Sequence, residues 1–283
     1  MILVTGAAGK TGKAVLKALL KKGKTVRVMV HRQEQADELM SRGAADAVVG
    51  DMTVADSYRQ AMNGVCSVYH ICPNMHPAEI DIGQIAIDVA CELRLSHFVY
   101  HSVLHPHVEK MPHHWLKMRV EEMLFESNLE FTILQPAPYM QNILSDRETL
   151  FNGKVFRVPY PPETRLSLVD LDDLAEAATL VLSEPGHRGA VYEIVGTGAL
   201  TQIEVAGLIG KALGFEITTS EILLQDWKEN AERNGLGKYQ VETLLKMFNY
   251  YSNFGLYGSN YLLSQLLGRD PHDLIAFVSR EFA

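Results

Sequence analysis

Three glycines near the N-terminus, Gly6, Gly9 and Gly12, are the residues whose type and spacing say most about chemistry. They follow an apolar run from Ile2 to Val4 and open a stretch that puts Val15, Leu16, Leu19 and Leu20 on one helical face, with Gly23 as its stop. A strand, a glycine turn and a helix in that order aim free backbone N–H groups and the positive end of a helix dipole at one point, which is a cradle for a diphosphate. Gly6 permits the tight turn, Gly9 lets the backbone approach the ligand and Gly12 lets helix lie close to strand; Lys10 and Thr11 stand within the turn. The pattern therefore predicts a bound dinucleotide. Its type is set at the end of the second strand, where VRVMV runs into His31 and Arg32 and no carboxylate follows until Glu34. A guanidinium fork matches a 2′-phosphate, so NADP (NADPH) is favoured and NAD remains possible, with Lys10 as a second positive charge. Asp51 and Met52, after the third strand, are candidates for the adenine end.

A second set of polar residues lies later. Ser102 ends the fifth strand pattern and Lys117 sits on the helix pattern after it. The pair resembles the short-chain dehydrogenases/reductases, in which a strand-end Ser and a Tyr-x-x-x-Lys helix polarise a carbonyl while the Lys holds the nicotinamide ribose. None of the eleven tyrosines here stands four residues before a lysine, so that acid is missing. His113 occupies the equivalent place, one helical turn before Lys117, with His114 beside it; an imidazole near its ordinary pKa can protonate a carbonyl or quinone oxygen. Lys117, His113 and Ser102 are accordingly the candidate catalytic residues. His105, His107, His113 and His114 crowd into ten positions, but their spacing fits no helical metal pair and no Cys lies near, so no metal is expected.

These residues need elements to position them. Through the first half, β-branched runs at 2–5, 25–30, 46–50, 65–71, 97–103 and 131–136 alternate with helical patterns, the rhythm of a doubly wound parallel α/β sheet of Rossmann type with helices on both faces. Ligands bind such sheets at the C-terminal strand ends, where every candidate above falls. From about Arg147 the rhythm loosens, which predicts a dinucleotide-binding domain over 1–146 and a smaller α/β substrate or partner lobe over 147–283. Strand patterns at 165–170 and 191–196 are expected to rejoin the first sheet, and helical patterns run over Asp172–Leu182, Gln202–Leu213 and Val241–Phe248. Aromatics of this lobe, among them Tyr160, Trp227, Phe248, Tyr250, Tyr251 and Phe254, can line an apolar pocket or fill its core.

Composition narrows the class. The chain has 283 residues and a net charge of −8 with no long basic run, which argues against a broad nucleic-acid surface. Three irregularly spaced cysteines form neither a disulfide framework nor a zinc site and suit a reducing cytoplasm. No apolar run approaches the roughly 20 residues that span a bilayer, and no signal pattern opens the chain. A monomer or homodimer acting on a planar, apolar small molecule is expected.

The glycine turn, HR after the second strand, GDM at 50–52, FTILQPAPYMQN at 131–142, VYEIVG at 191–196 and the segment at 254–281 together resemble the NmrA-like branch of the atypical short-chain dehydrogenases/reductases over nearly the whole chain. The resemblance implies a Rossmann domain with a small lobe and a preference for NADP(H). Family members are of two kinds: reductases of quinones, triphenylmethane dyes or related aromatics, and non-catalytic sensors of the NADP/NAD balance that act through protein partners. Family cofactor contacts correspond to Gly6, Gly9, Gly12 and Lys117, to Pro73 and Asn74 at a strand end, and to Pro138 and Tyr139 beside the nicotinamide. The family's usual strand-end Arg aligns with His31, and Arg32 follows one place later. The intact turn with Ser102 and Lys117 favours an NADPH-dependent reductase; the missing Tyr keeps the sensor as the alternative.

Overall fold

The apolar runs of the first half are buried because they form the middle of a sheet. A computed structural model describes residues 1–282. Its first strands and helices alternate: β1 (Ile2–Val4), α1 (Lys10–Lys21), β2 (Val26–Val30), α2 (Gln33–Ser41), β3 (Asp46–Val49), α3 (Ala55–Met62), β4 (Ser67–His70), α4 (Glu79–Glu92), β5 (His97–His101), α5 (Pro112–Glu126) and β6 (Phe131–Pro136). A 3-10 turn (Met140–Asp146) and a π turn (Thr149–Gly153) lead into β7 (Val155–Val158), β8 (Arg165–Leu166), α6 (Leu171–Ser183), β9 (Ala190–Ile194), β10 (Leu200–Thr201), α7 (Gln202–Leu213), β11 (Thr218–Glu221), α8 (Leu224–Arg233), α9 (Lys238–Phe254), α10 (Tyr261–Leu267) and α11 (Leu274–Phe282).

Seven strands form the main sheet in the order β3-β2-β1-β4-β5-β6-β9. The order reverses at β1, whose two neighbours β2 and β4 both run parallel to it, with Ile2 opposite Val26 on one side and Ser67 on the other. Such a reversal opens a crevice at the carboxyl ends of the strands, where ligands enter doubly wound sheets.

The chain divides into two compact units. The first comprises Met1–His107, His114–Gln135 and Leu174–Tyr192; the second comprises Val108–His113, Pro136–Asp173 and everything from Glu193 onward. The helical segment Leu174 to Ser183, which the sequence rhythm assigned to the later lobe, thus belongs to the sheet-bearing unit. The first unit's core joins Leu3, Val68, Phe98, Tyr100 and Ile133 of the strands to Ile82, Ala86, Val120 and Leu124 of α4 and α5. Strand side chains buried on both faces read as continuous apolar runs, which is why these elements are legible from sequence.

The second unit has its own core, built by Met140, Leu150, Val205, Ile209, Leu274, Phe277 and Val278. Helix α7 starts at a capping box, with the Thr201 hydroxyl accepting from the Glu204 N–H at 3.1 Å and the Glu204 carboxylate accepting from the Thr201 N–H at 2.7 Å. Two buried aspartates fasten the C-terminal segment: Arg280 donates to Asp170 at 2.7 and 3.1 Å, and Arg269 donates to Asp173 at 2.8 Å. The segment 165–170 differs from its expected place. Arg165–Leu166 pairs antiparallel with Leu200–Thr201 in a separate two-stranded sheet, whereas Ala190–Ile194 does join the main sheet. A run of only two paired residues has too little edge to compete for the long β6, and Val169 instead bridges Tyr139.

Candidate active site

The glycine turn after β1 has the geometry of a cradle. Gly6 has φ +57°, and a Cβ there would lie 2.9 Å from the Ile71 carbonyl oxygen. At Gly12 a Cβ would lie 2.5 Å from Ala7 Cα and 2.6 Å from the Gly6 oxygen, so the first turn of α1 rests directly on the loop. Gly9 is different: its Cβ would meet only the Gly6 oxygen, at 3.3 Å, and otherwise open space. That exposed glycine is also the N-cap of α1, and it brings no side chain to accept from the helix's first N–H groups. The Gly9 N–H closes the loop on the Gly6 oxygen at 3.1 Å. An open glycine at a helix start, backed by two glycines whose Cβ positions are filled by backbone, fits a diphosphate.

Beyond the glycine turn lie the charged candidates for the far end of a nucleotide. Lys10 and Arg32 are exposed, and among the described residues neither side chain has a hydrogen-bond or ion-pair partner. The backbone N–H groups of His31 and Arg32 both donate to Gln35 Oε1, at 3.2 and 3.1 Å, which fixes the β2-to-α2 corner and leaves the Arg32 guanidinium outside it. Asp51 is exposed and accepts from the Thr53 N–H and hydroxyl at 2.8 and 2.7 Å; those bonds hold its carboxyl below the usual range. Met52 is half-buried, and Pro73 and Asn74 are exposed after β4. The corner after β4 is tied to β1 by Thr5, whose hydroxyl accepts from the Ile71 N–H at 2.8 Å.

The polar residues at the end of β5 form two buried clusters. Lys117 on α5 donates to Glu79 Oε1 at 2.9 Å and to the His101 carbonyl at 3.2 Å, and the Tyr100 hydroxyl donates to the same Glu79 oxygen at 2.9 Å. Burial pushes the Glu79 carboxyl up, but the Lys117 ammonium and these hydrogen bonds outweigh it and bring the group below its ordinary value. Ser102 donates its hydroxyl to Glu121, and Gln135 donates to both Glu121 oxygens at 3.0 and 2.9 Å. With an amide in place of a cation beside it, burial dominates and the Glu121 carboxyl is raised.

The remaining candidates divide between the units. His114 is fully buried in the first, with Nδ1 3.3 Å from the His105 carbonyl, and burial lowers its imidazole to about 4. His113, Pro138 and Tyr139 are half-buried members of the second unit. The aromatics of that unit also divide. Tyr160, Trp227, Phe248 and Tyr251 pack on one another, with the Trp227 and Phe248 rings 4.8 Å apart at 83°, while the Tyr250 and Phe254 rings lie 4.9 Å apart, tilted at 41°, with the Lys110 ammonium over Phe254.

The sequence pattern singles out Gly6, Gly9, Gly12, Ser102 and Lys117 and does not point to Glu79, Glu121 or Gln135, which the structure bonds to Lys117 and Ser102 or to their partners. Glu121 was accessible, since it follows Lys117 by four positions on one helix. Glu79 was not, because 38 residues separate it from Lys117 and a carboxylate opening a helix ordinarily answers the helix dipole.

Known proteins are similar to this chain in sequence and fold. The chain is 26% identical over 250 residues to an NAD(P)H azoreductase of Xenophilus azovorans, covering 88% of this chain and 86% of that protein. It is 26% identical over 292 residues to quinone oxidoreductase 2 of Escherichia coli strain K12, covering 100% and 99%. A crystal structure of the NADPH-dependent quinone oxidoreductase of Escherichia coli, complexed with NADPH, superposes with a TM-score of 0.87 at 25% identity and full coverage of both chains. The model of the NmrA-like family matches residues 1–280, and the chain belongs to that family.

Proposed function

We propose that the protein is an NADP(H)-dependent reductase that passes a hydride to a planar quinone-like or aromatic carbonyl substrate. The observation that carries this reading is the glycine cradle, with one open glycine at the start of α1, in a chain similar along its whole length to a quinone oxidoreductase. When bound, the dinucleotide supplies the hydride. The chain's part is to grip the diphosphate with the N–H groups of the cradle, with Lys10 and Thr11 in the same turn. Arg32, with His31 beside it, takes the 2′-phosphate, and Asp51 and Met52 border the adenine. NADH is accepted more weakly because only the 2′-phosphate meets Arg32. Pro73, Asn74, Pro138 and Tyr139 border the nicotinamide, and Lys117 holds its ribose.

Proton delivery falls to His113. His114 is neutral at pH 7 and pinned by the His105 carbonyl, and the Ser102 hydroxyl donates to Glu121, so Ser102 orients the acceptor oxygen only by turning that proton from Glu121 to the substrate. We place the protein in the cytoplasm as a monomer or homodimer, with no nucleic-acid partner. Its charge of −8 supports the last point, and among the described residues no helix is long and apolar enough to cross a membrane.

The test is NADPH oxidation with a panel of quinones, azo dyes and triphenylmethane dyes. Turnover of about 1 s⁻¹ or more on at least one of them is expected. Tight NADPH binding with no turnover on any of them would favour the non-catalytic sensor instead.

A further inference from the structure

Helices α4 and α5 approach unusually closely at one point. A Cβ on Gly83 would lie 2.6 Å from Val120 Cγ2 and 2.8 Å from its Cγ1, so only glycine lets the two helices meet there. One turn earlier on each helix stand Glu79 and Lys117, which form a buried ion pair with side chains 4% and 13% exposed. We propose that Glu79 is the positioning residue of Lys117: reaching across the Gly83 crossing, it holds the ammonium at the end of β5 so that its remaining N–H meets the ribose of the bound dinucleotide. The proposal rests on the reductase reading above and names a residue that a Ser-and-Lys arrangement alone does not supply.

The geometry supports this in three ways. A lysine ammonium has three donors. Here two are committed, to Glu79 and to the His101 carbonyl, which leaves one direction for a ligand. The Tyr100 hydroxyl donates to the same Glu79 oxygen, so the anchor is itself fixed from β5. A buried ion pair is also a poor source of stability, because desolvation of both charges offsets their attraction and an apolar pair would serve as well. Its position beside the end of β5, where Lys117 also bonds the His101 carbonyl, is accounted for by placement of the lysine.

The test compares wild type with Glu79→Gln, Lys117→Gln and the double variant, reading KM for NADPH, kcat and KM for the quinone separately. Glu79→Gln keeps the shape and the bond to Tyr100 but removes the charge. It is expected to raise KM for NADPH about tenfold, the value of one charge-assisted bond, with the quinone KM unchanged. Because Glu79 acts through Lys117, adding Glu79→Gln to Lys117→Gln is expected to change nothing further. Additive losses in the double variant, or an unchanged NADPH KM in Glu79→Gln, would overturn the proposal. Should Glu79→Gln fail to fold, the double variant leaves no unpaired buried charge, and NADPH binding by it at wild-type strength would overturn the proposal equally. Failure of wild-type protein to bind NADPH would instead overturn the reductase reading, so the two failures are distinguishable.

Discussion

At the residue scale the site is a set of backbone and charge placements rather than a catalytic triad. Gly6, Gly9 and Gly12 were legible because each has a separate steric reason to lack a side chain, and such reasons act over a few consecutive residues. Arg32 was legible as a type but not as a role, since an exposed arginine is common on any surface. It is exposed at a corner fixed by Gln35, which is the placement the proposed contact with a 2′-phosphate requires. Replacement by alanine is expected to raise KM for NADPH about tenfold while leaving KM for NADH within about twofold, because only NADPH carries the 2′-phosphate. Equal losses for the two cofactors would show that Arg32 acts on the fold instead.

At the element scale the strands were read nearly to their ends. β6 was assigned at Phe131–Pro136 and α7 at Gln202–Leu213, because uninterrupted burial and a clear helical period both show in local sequence. The pairing of short strands was not legible. RLSLVD has the composition of a core strand, yet its pairing is split: Arg165–Leu166 pairs with Leu200–Thr201, Leu166 also bridges Leu256 and Val169 bridges Tyr139. Which partner such a fragment takes depends on tertiary packing and not on its own pattern. The α4 and α5 crossing was also hidden, since a glycine within a helix gives no sign of what it faces. Gly83→Ala is expected to cost about 1–3 kcal/mol, because its Cβ would overlap the buried Val120. Chemical denaturation with an unchanged slope checks the loss. No change in stability would mean that the helices separate freely there.

At the scale of the whole molecule, the fold stores several neutral histidines that acid must charge. Burial lowers His70 to about 4, His101 to about 3 and His114 to about 4, from 6.5. Between pH 6.5 and these values the unfolded chain binds protons that the native chain does not, so stability falls as the pH falls through that window. At pH 5 each of the three histidines removes about 2 kcal/mol, or about 6 in all, a large part of a typical stability of about 5–15 kcal/mol. Glu79, held below its ordinary value, adds to the loss as the pH drops below 4.5, while the raised carboxyl of Glu121 opposes it. The melting temperature is therefore expected to be flat between pH 7 and about 8 and to fall steeply between pH 6 and 4.5; a constant melting temperature over that acid range would contradict the burial of these imidazoles as neutral groups. The central claim, that the open glycine at the start of α1 admits a dinucleotide diphosphate, is tested most directly by calorimetric titration of NADPH into wild type and Gly9→Val. At Gly9, with its extended backbone, a Cβ meets only the Gly6 oxygen, at 3.3 Å. The variant is thus expected to stay folded, melting a few degrees lower because valine is a poor N-cap, and to lose at least about a hundredfold in affinity for NADPH. Equal binding by both proteins, or none by wild type, would contradict it.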